Sequence, residues 1–335
     1  MRALGVGRPN AIGLGAVALA IGGAPFVFSG YKLSILVTIG IYAIAATGLA
    51  LLVGQARQIS LGHAAFFGLG AYGSGLLSTH LGWSPWLTLP VAVALTVAVA
   101  VLIGIPVLRL EGHYLAMATL GLGIVFNVVL REWTSITAGP SGFSGIPPLA
   151  LPVLSDRTEV RSVLLVWAAV LVAVWLALRV IGSRRGRALR AIGASEIAAE
   201  LIGLDVARRK LEVFALSAAY AALAGGLYAH YVAFLSPEPF GFLFSLELLV
   251  MAAVGGLTSV WGGIIGAGTI VTLTELLRHA LPASLPGSSG ELELILFGLA
   301  LMAIMILRPT GLAGVGRGAL DRIDRGLRRR GRRVA

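Results

Sequence analysis

Residues 33–53 read LSILVTIGIYAIAATGLALLV, a stretch with no charged side chain. Coiled as a helix at about 1.5 Å per residue, it is roughly 30 Å long, the thickness of a bilayer's hydrocarbon core. Similar runs recur along the chain, near 11–29, 60–79, 86–107, 114–131, 162–181, 211–234, 242–258, 262–281 and 291–307. The reading is an all-α polytopic membrane protein with about ten transmembrane helices. The runs at 60–79 and 242–258, rich in glycine and small residues, are the least regular. The run at 11–29 follows a basic N-terminus. Its length, and the lack of a small-x-small cleavage site after it, favour an uncleaved first helix over a signal peptide.

Composition agrees. Hydrophobic residues make up 57% of the 335 and charged residues 12%, with a mean hydropathy of +0.92. A soluble domain carries about twice that charge. The net charge of +11 does not point to nucleic acid, because the basic residues sit in short loops and a tail rather than on one folded face. That placement suits membrane topology and anionic lipid headgroups. With no cysteine present, disulfides, thiol catalysis and thiolate metal sites are excluded.

Charge also sets the orientation. With the N-terminus inside and ten alternating spans, 21 of the 26 lysines and arginines face the cytoplasm. They are Arg2, Arg8, Arg57, Arg109, the group from Arg179 to Lys210 and the tail from Arg308. Lys32, Arg131, Arg157, Arg161 and Arg278 remain outside or within spans. This is the bias of the positive-inside rule, and it favours an even number of spans, with both termini cytoplasmic. Residues 1–307 then form the transmembrane domain and 308–335 a basic cytoplasmic tail on anionic lipid.

Two loops exceed simple connectors. The outer, periplasmic loop, 132–161, contains TAGPSGFSGIPP. Its Gly139, Pro140, Gly142 and Gly145 favour a fixed, non-helical path. The inner loop, 182–210, reads GSRRGRALRAIGASEIAAELIGLDVARRK and has the spacing of one or two short helices. Within it, Glu196, Ala198, Ala199 and Glu200 form a short helix with a small-residue face, and Gly203 is placed to stop it. A helix of this kind can enter a groove on a partner protein; on composition alone it is as well an ordinary solvated helix.

Polar groups within the spans are few. Gln55, Ser60, His63, Tyr114, Thr119, Asn127 and Glu247 are candidates to line a solute path, since polar groups in a membrane face a cavity or a partner. Glu275 and Arg278, three apart, can pair with each other. Segment 54–63 is the expected helix break, leaving free backbone groups beside a path. Glycines at 62–75, 121–123, 225–226 and 255–268 otherwise let helices pack closely. No catalytic residue, metal site or phosphate-binding glycine loop is evident. If ATP drives the protein, another chain binds it.

Several blocks together resemble a known family. They are GQARQISLGHAAFFGLGAY at 54–72, GHYLAMATLGLG at 112–123, the outer-loop block at 137–148 and GRALRAIGASEIAAELIGLDVARRKL at 186–211. SAAYAALAGGLYAHYVAFLSPEPF at 217–240, SLELLVMAAVGGLTSVWGGIIGA at 245–267 and LRPTGLAG at 307–314 follow. In this order they resemble the M-type (LivM-like) permeases of branched-chain amino acid ABC transporters. The resemblance implies an importer permease fold in a bacterial inner membrane. It also implies a second permease subunit, two ATPase subunits that hold ATP and magnesium, and a periplasmic solute-binding protein. The 186–211 block then implies the ATPase-coupling loop. The chain departs from the family pattern at His113, where an aspartate is usual, and at Ile124 and Asn127, where a glutamate and an arginine often stand. It departs again at Thr258-Ser259, where a Gly-Thr pair is commoner. The competing expectation is a self-sufficient secondary transporter or channel, which needs more intramembrane acids than the spans provide.

Overall fold

The computed structural model describes residues 8–28, 30–150, 158–280, 298, 299, 302, 306 and 311–313. The chain opens with α1 (Arg8–Val27), α2 (Tyr31–Ala56), α3 (His63–His80), α4 (Pro85–Val107) and α5 (Gly112–Glu132). A single turn, α6 (Thr134–Thr137), and the two-residue strand β1 (Phe143–Ser144) follow. Next come α7 (Thr158–Gly182), the short helices α8 (Arg184–Ala194) and α9 (Glu196–Leu201), and α10 (Val206–Val232). Strand β2 (Phe234–Leu235) leads to α11 (Phe242–Gly255) and α12 (Gly262–Ala280).

Helix α2 is the axis. It is apolar on every face, as a fully surrounded helix must be, and α7, α10, α11 and α12 pack around it. Close approach depends on small residues. A Cβ on Gly225 of α10 would lie 1.8 Å from the Phe67 carbonyl oxygen of α3, and one on Gly70 of α3 would lie 2.1 Å from that of Ala222. The backbones of α3 and α10 are therefore in contact, without side chains between them. The hairpin of α11 and α12 closes in the same way: a Cβ on Gly255 would meet the Gly262 carbonyl oxygen at 1.8 Å. Helices α4 and α5 stay peripheral, with Leu102, Met117 and Val125 exposed.

Five described helices, α2, α4, α5, α7 and α10, are long and apolar enough to cross a membrane. The described residues thus support fewer crossings than the expected ten. The run expected at 242–258 ends at Gly255; its fourteen residues rise only about 21 Å, short of a hydrocarbon core. The run expected from 60 starts as a helix only at His63, for reasons set out below. The helix expected at 291–307 lies outside the described residues except at four positions, and the 308–335 tail except at 311–313.

Candidate functional site

The break expected at 54–63 is present. Helix α2 stops at Ala56, Arg57 turns into the left-handed region at φ 53°, and residues 57–62 are not helical. The chain then doubles back. His63, the first residue of α3, reaches Ser217 of α10 at 2.6 Å, and the Ser217 hydroxyl donates to the Gly48 carbonyl of α2 at 2.8 Å. Gly48 lies eight residues before α2 ends, so α3 begins about 12 Å inside that end. The returning backbone is paired: the Leu61 N–H donates to Thr119 Oγ1 of α5 at 3.0 Å, and a Cβ on Gly62 would lie 2.3 Å from the Thr119 carbonyl. Non-helical backbone within a membrane is tolerated when protein buries it in this way.

His63 is fully buried. Because Ser217 donates to Gly48, the His63 Nε2–H must donate to Ser217, and Nδ1 must accept from the Ser60 hydroxyl 2.9 Å away. Both ring nitrogens are used, so His63 and Ser60 fasten α3 to α2 and α10. The Ala64 N–H, an orphan of the first turn of α3, donates to Ser245 Oγ of α11 at 2.9 Å. The starts of two helices thereby meet in the interior. Helix α11 also begins deep: Phe244 packs against Tyr42, near the middle of α2, with ring centroids 5.3 Å apart and planes tilted by 57°.

The other path candidates divide. Asn127 of α5 donates to the Pro237 carbonyl at 2.8 Å, anchoring the irregular segment ahead of α11. Thr119 supports the break. Among the described residues, buried Gln55 Oε1 and both amide atoms of buried Gln58 have no hydrogen-bond partner. Glu247, half-buried on α11, makes no hydrogen bond or ion pair among the described residues. Tyr114 is set apart at the start of α5, 73% exposed. Glu275 accepts from the Tyr31 hydroxyl, whereas the side chain of Arg278 is outside the described residues. Among those residues no cluster of His, Asp and Glu has the geometry of a metal site.

A second histidine knot was not singled out in the sequence. His230, near the end of α10, meets Ser74 of α3 at 2.7 Å and the Pro147 carbonyl of the 137–148 loop at 2.7 Å. The carbonyl can only accept, so Nδ1–H donates to it and Nε2 accepts from Ser74. That loop is also held by β1 pairing with β2, Phe143 opposite Leu235. Gly139, Gly142 and Gly145 all have left-handed φ values, and a Cβ on Gly142 would lie 2.3 Å from the Leu235 carbonyl. Pro140 is the middle residue of the 3₁₀ turn Gly139–Ser141 and is exposed.

At the other end, α8 and α9 form a compact hairpin. Ser183, Ser195 and Asp205 cap α8, α9 and α10, their side chains accepting from Gly186, Ala198 and Arg208 N–H groups. Gly203 ends α9 at φ 81°, its N–H bonded to the Glu200 carbonyl at 2.9 Å, and Leu204 N–H returns to Ala199 at 3.1 Å. The face this helix presents differs from the sequence expectation. Ala199 turns inward against Ile192 and Val206. Glu196 pairs with Lys210, whose side chain is 7% exposed. The outward face is Ile197, Ala198, Glu200, Leu201 and Ile202, with Leu201 83% exposed. The hairpin also touches the break: a Cβ on Gly193 of α8 would lie 2.7 Å from the Gln55 carbonyl of α2.

Several long apolar helices, one of them broken at residues 57–62, are the architecture of a multi-pass membrane protein. The branched-chain amino acid transport system / permease component family matches residues 31–305, and the chain belongs to it. It is 34% identical over 311 residues to the "High-affinity branched-chain amino acid transport system permease protein LivM" of Salmonella typhimurium, covering 86% of this chain and 71% of that protein. The LivM protein of Escherichia coli strain K12 matches to the same extent. The LivH permease protein of Salmonella typhimurium is 26% identical, covering 83% of this chain and 93% of that protein. No solved structure matches.

Proposed function

We propose that this chain is a membrane subunit of an ATP-binding cassette importer for branched-chain or related amino acids, with about ten helices threading a bacterial inner membrane. It pairs with a second permease subunit of the LivH kind. Two ATPase subunits dock on the cytoplasmic side, and a periplasmic binding protein delivers solute to the 137–148 loop. ATP and magnesium belong to the ATPases. Both termini are cytoplasmic, as the distribution of arginine and lysine favours.

The observation that carries this reading is the α8–α9 hairpin. Three large apolar side chains, Ile197, Leu201 and Ile202, are 73–83% exposed on a hairpin held by caps and a small core of its own. They lie among charged residues, beyond the apolar spans, so lipid does not cover them. Such a rim-charged apolar knob suits a groove on a soluble partner. The test is co-expression with the partner subunits. Ile197→Asp with Leu201→Asp should abolish solute uptake and co-purification of the ATPase while the chain still inserts. An ATPase that stays bound, with normal uptake, would sink the docking assignment.

A further inference from the structure

The geometry points to a binding site for an anionic phospholipid in a crevice between α4, α7, α8 and α10, against the base of the α8–α9 hairpin. This goes beyond the transport reading and does not depend on which solute is carried. The crevice encloses about 520 Å³. Its walls are apolar: Val101 of α4, Val180 of α7, Leu189 of α8, and Leu211, Val213 and Leu216 of α10. Its mouth carries Arg185, Arg208 and Arg209 against one acid, Glu212. Glu212 lies 2.8 Å from Arg209 Nη1 and 3.5 Å from Arg208 Nε. One carboxylate set against three guanidinium groups leaves two positive charges beside an apolar slot.

Three features decide the occupant. First, the arginines lie where α4 and α7 end and α10 begins, so they share the level at which apolar spans give way to charged loops. That is the level of lipid phosphates. Second, an exposed apolar stripe runs along α4 away from the arginines, from Leu102, 72% exposed, through Ala98 to Leu95, 54% exposed; acyl chains can follow it. A soluble anion has no use for such a wall. Third, guanidinium groups suit phosphate, which they bind with paired hydrogen bonds. Arg185 and Leu189 belong to α8, so a lipid held here ties the hairpin to the spans.

Full-length protein in neutral detergent is titrated with phosphatidylglycerol or with phosphatidylcholine of the same acyl chains, and bound lipid is counted by native mass spectrometry. A basic residue near an anionic lipid is worth a factor of roughly five, so two net charges give phosphatidylglycerol a preference of about 30-fold. Arg185→Gln with Arg208→Gln leaves the Arg209–Glu212 pair in place and should cut that preference to about threefold or less. Arg184→Gln with Arg187→Gln removes equal charge from α8 outside the crevice and should leave most of it. Equal loss in both pairs, or no preference in the unaltered protein, overturns the site. Glycerol phosphate competing as well as the lipid assigns the crevice to a soluble anion and also overturns it. If the first pair fails to fold, Val101→Phe narrows the slot with every charge kept and should lower lipid occupancy several-fold; unchanged occupancy then refutes the proposal.

Discussion

Glu196→Gln should loosen α9 by cutting its tie to Lys210 in the first turns of α10. Glu196 is the partner of Lys210, whose side chain is 7% exposed, while that of Glu196 is 38% exposed. Stranding a buried charge costs about 3–5 kcal/mol, but partial exposure of this pair reduces that to roughly 1–3 kcal/mol. Hydrogen exchange reads the change directly. The amides of Ala199, Gly203 and Leu204, bonded to Ser195, Glu200 and Ala199 carbonyls, open when the hairpin opens. Their exchange should quicken by roughly 5- to 150-fold, at 1.4 kcal/mol per factor of ten. Adding Lys210→Met removes the stranded charge, so the double variant should recover most of the protection. Unchanged exchange in Glu196→Gln, or a double variant that merely sums the two single effects, would show that the pair does not hold the hairpin.

Ser217→Ala leaves the His63 Nε2–H without its acceptor, and should destabilise the detergent-solubilised chain by about 1–3 kcal/mol, seen as a lower melting temperature; an unchanged melt refutes the three-helix knot. Gly225→Val should drive α3 from α10, because its Cβ meets the Phe67 carbonyl at 1.8 Å, while Gly121→Ala, with no atom within 4 Å, should elute normally on size exclusion; equal behaviour of the two contradicts the packing. Gly142→Val combines a left-handed residue with a 2.3 Å clash at Leu235 and should expose the loop to protease, whereas Gly145→Ala, left-handed in open space, costs only about 1–2 kcal/mol. Glu247→Gln tests the half-buried carboxylate of α11. On the proposed reading, uptake at low solute should fall at least about tenfold, the worth of a hydrogen bond to a charged group, with unchanged melting; normal uptake removes Glu247 from the solute path.

The long spans were legible because burial in lipid or among helices demands the same thing of every residue in a run: no charge. Residues 33–53 and 86–107 therefore read correctly to within a few positions. The start of α3 did not, because residues 60–62 are as apolar and small as the helix after them. Only Thr119, far along the chain, explains how their non-helical backbone is paired. The facing of α9 was equally hidden. In six residues Ala198 and Ala199 look interchangeable, and only the positions of Ile192, Val206 and Lys210 decide that Ala199 and Glu196 turn inward. His230 offered no local signal at all: its partners, Ser74 and Pro147, come from elements 156 and 83 positions away.

These contacts also suggest how a movement at one end reaches the other. Gly193 of α8 sits on the Gln55 carbonyl, in the last turn of α2. Two residues later the helix ends and the chain turns back toward His63. An apolar core cannot pass on a small displacement gradually, because its packing is close and its states are discrete. A break can, since residues 57–62 lack a helix's own hydrogen bonds and include Gln58, whose buried side-chain amide has no partner among the described residues. An amide buried without partners is costly in this state, and an arrangement that satisfied it would be favoured by that same cost. On the proposed reading, the ATPases would work on the break through α8, and His63 would keep α3 in register with α2 and α10 while the segment beneath it moved. Gly193→Leu separates this from simple docking. It should leave the ATPase bound through Ile197 and Leu201, yet uncouple hydrolysis from uptake. Loss of ATPase binding together with uptake would place the defect in the hairpin's fold and remove the break from the path.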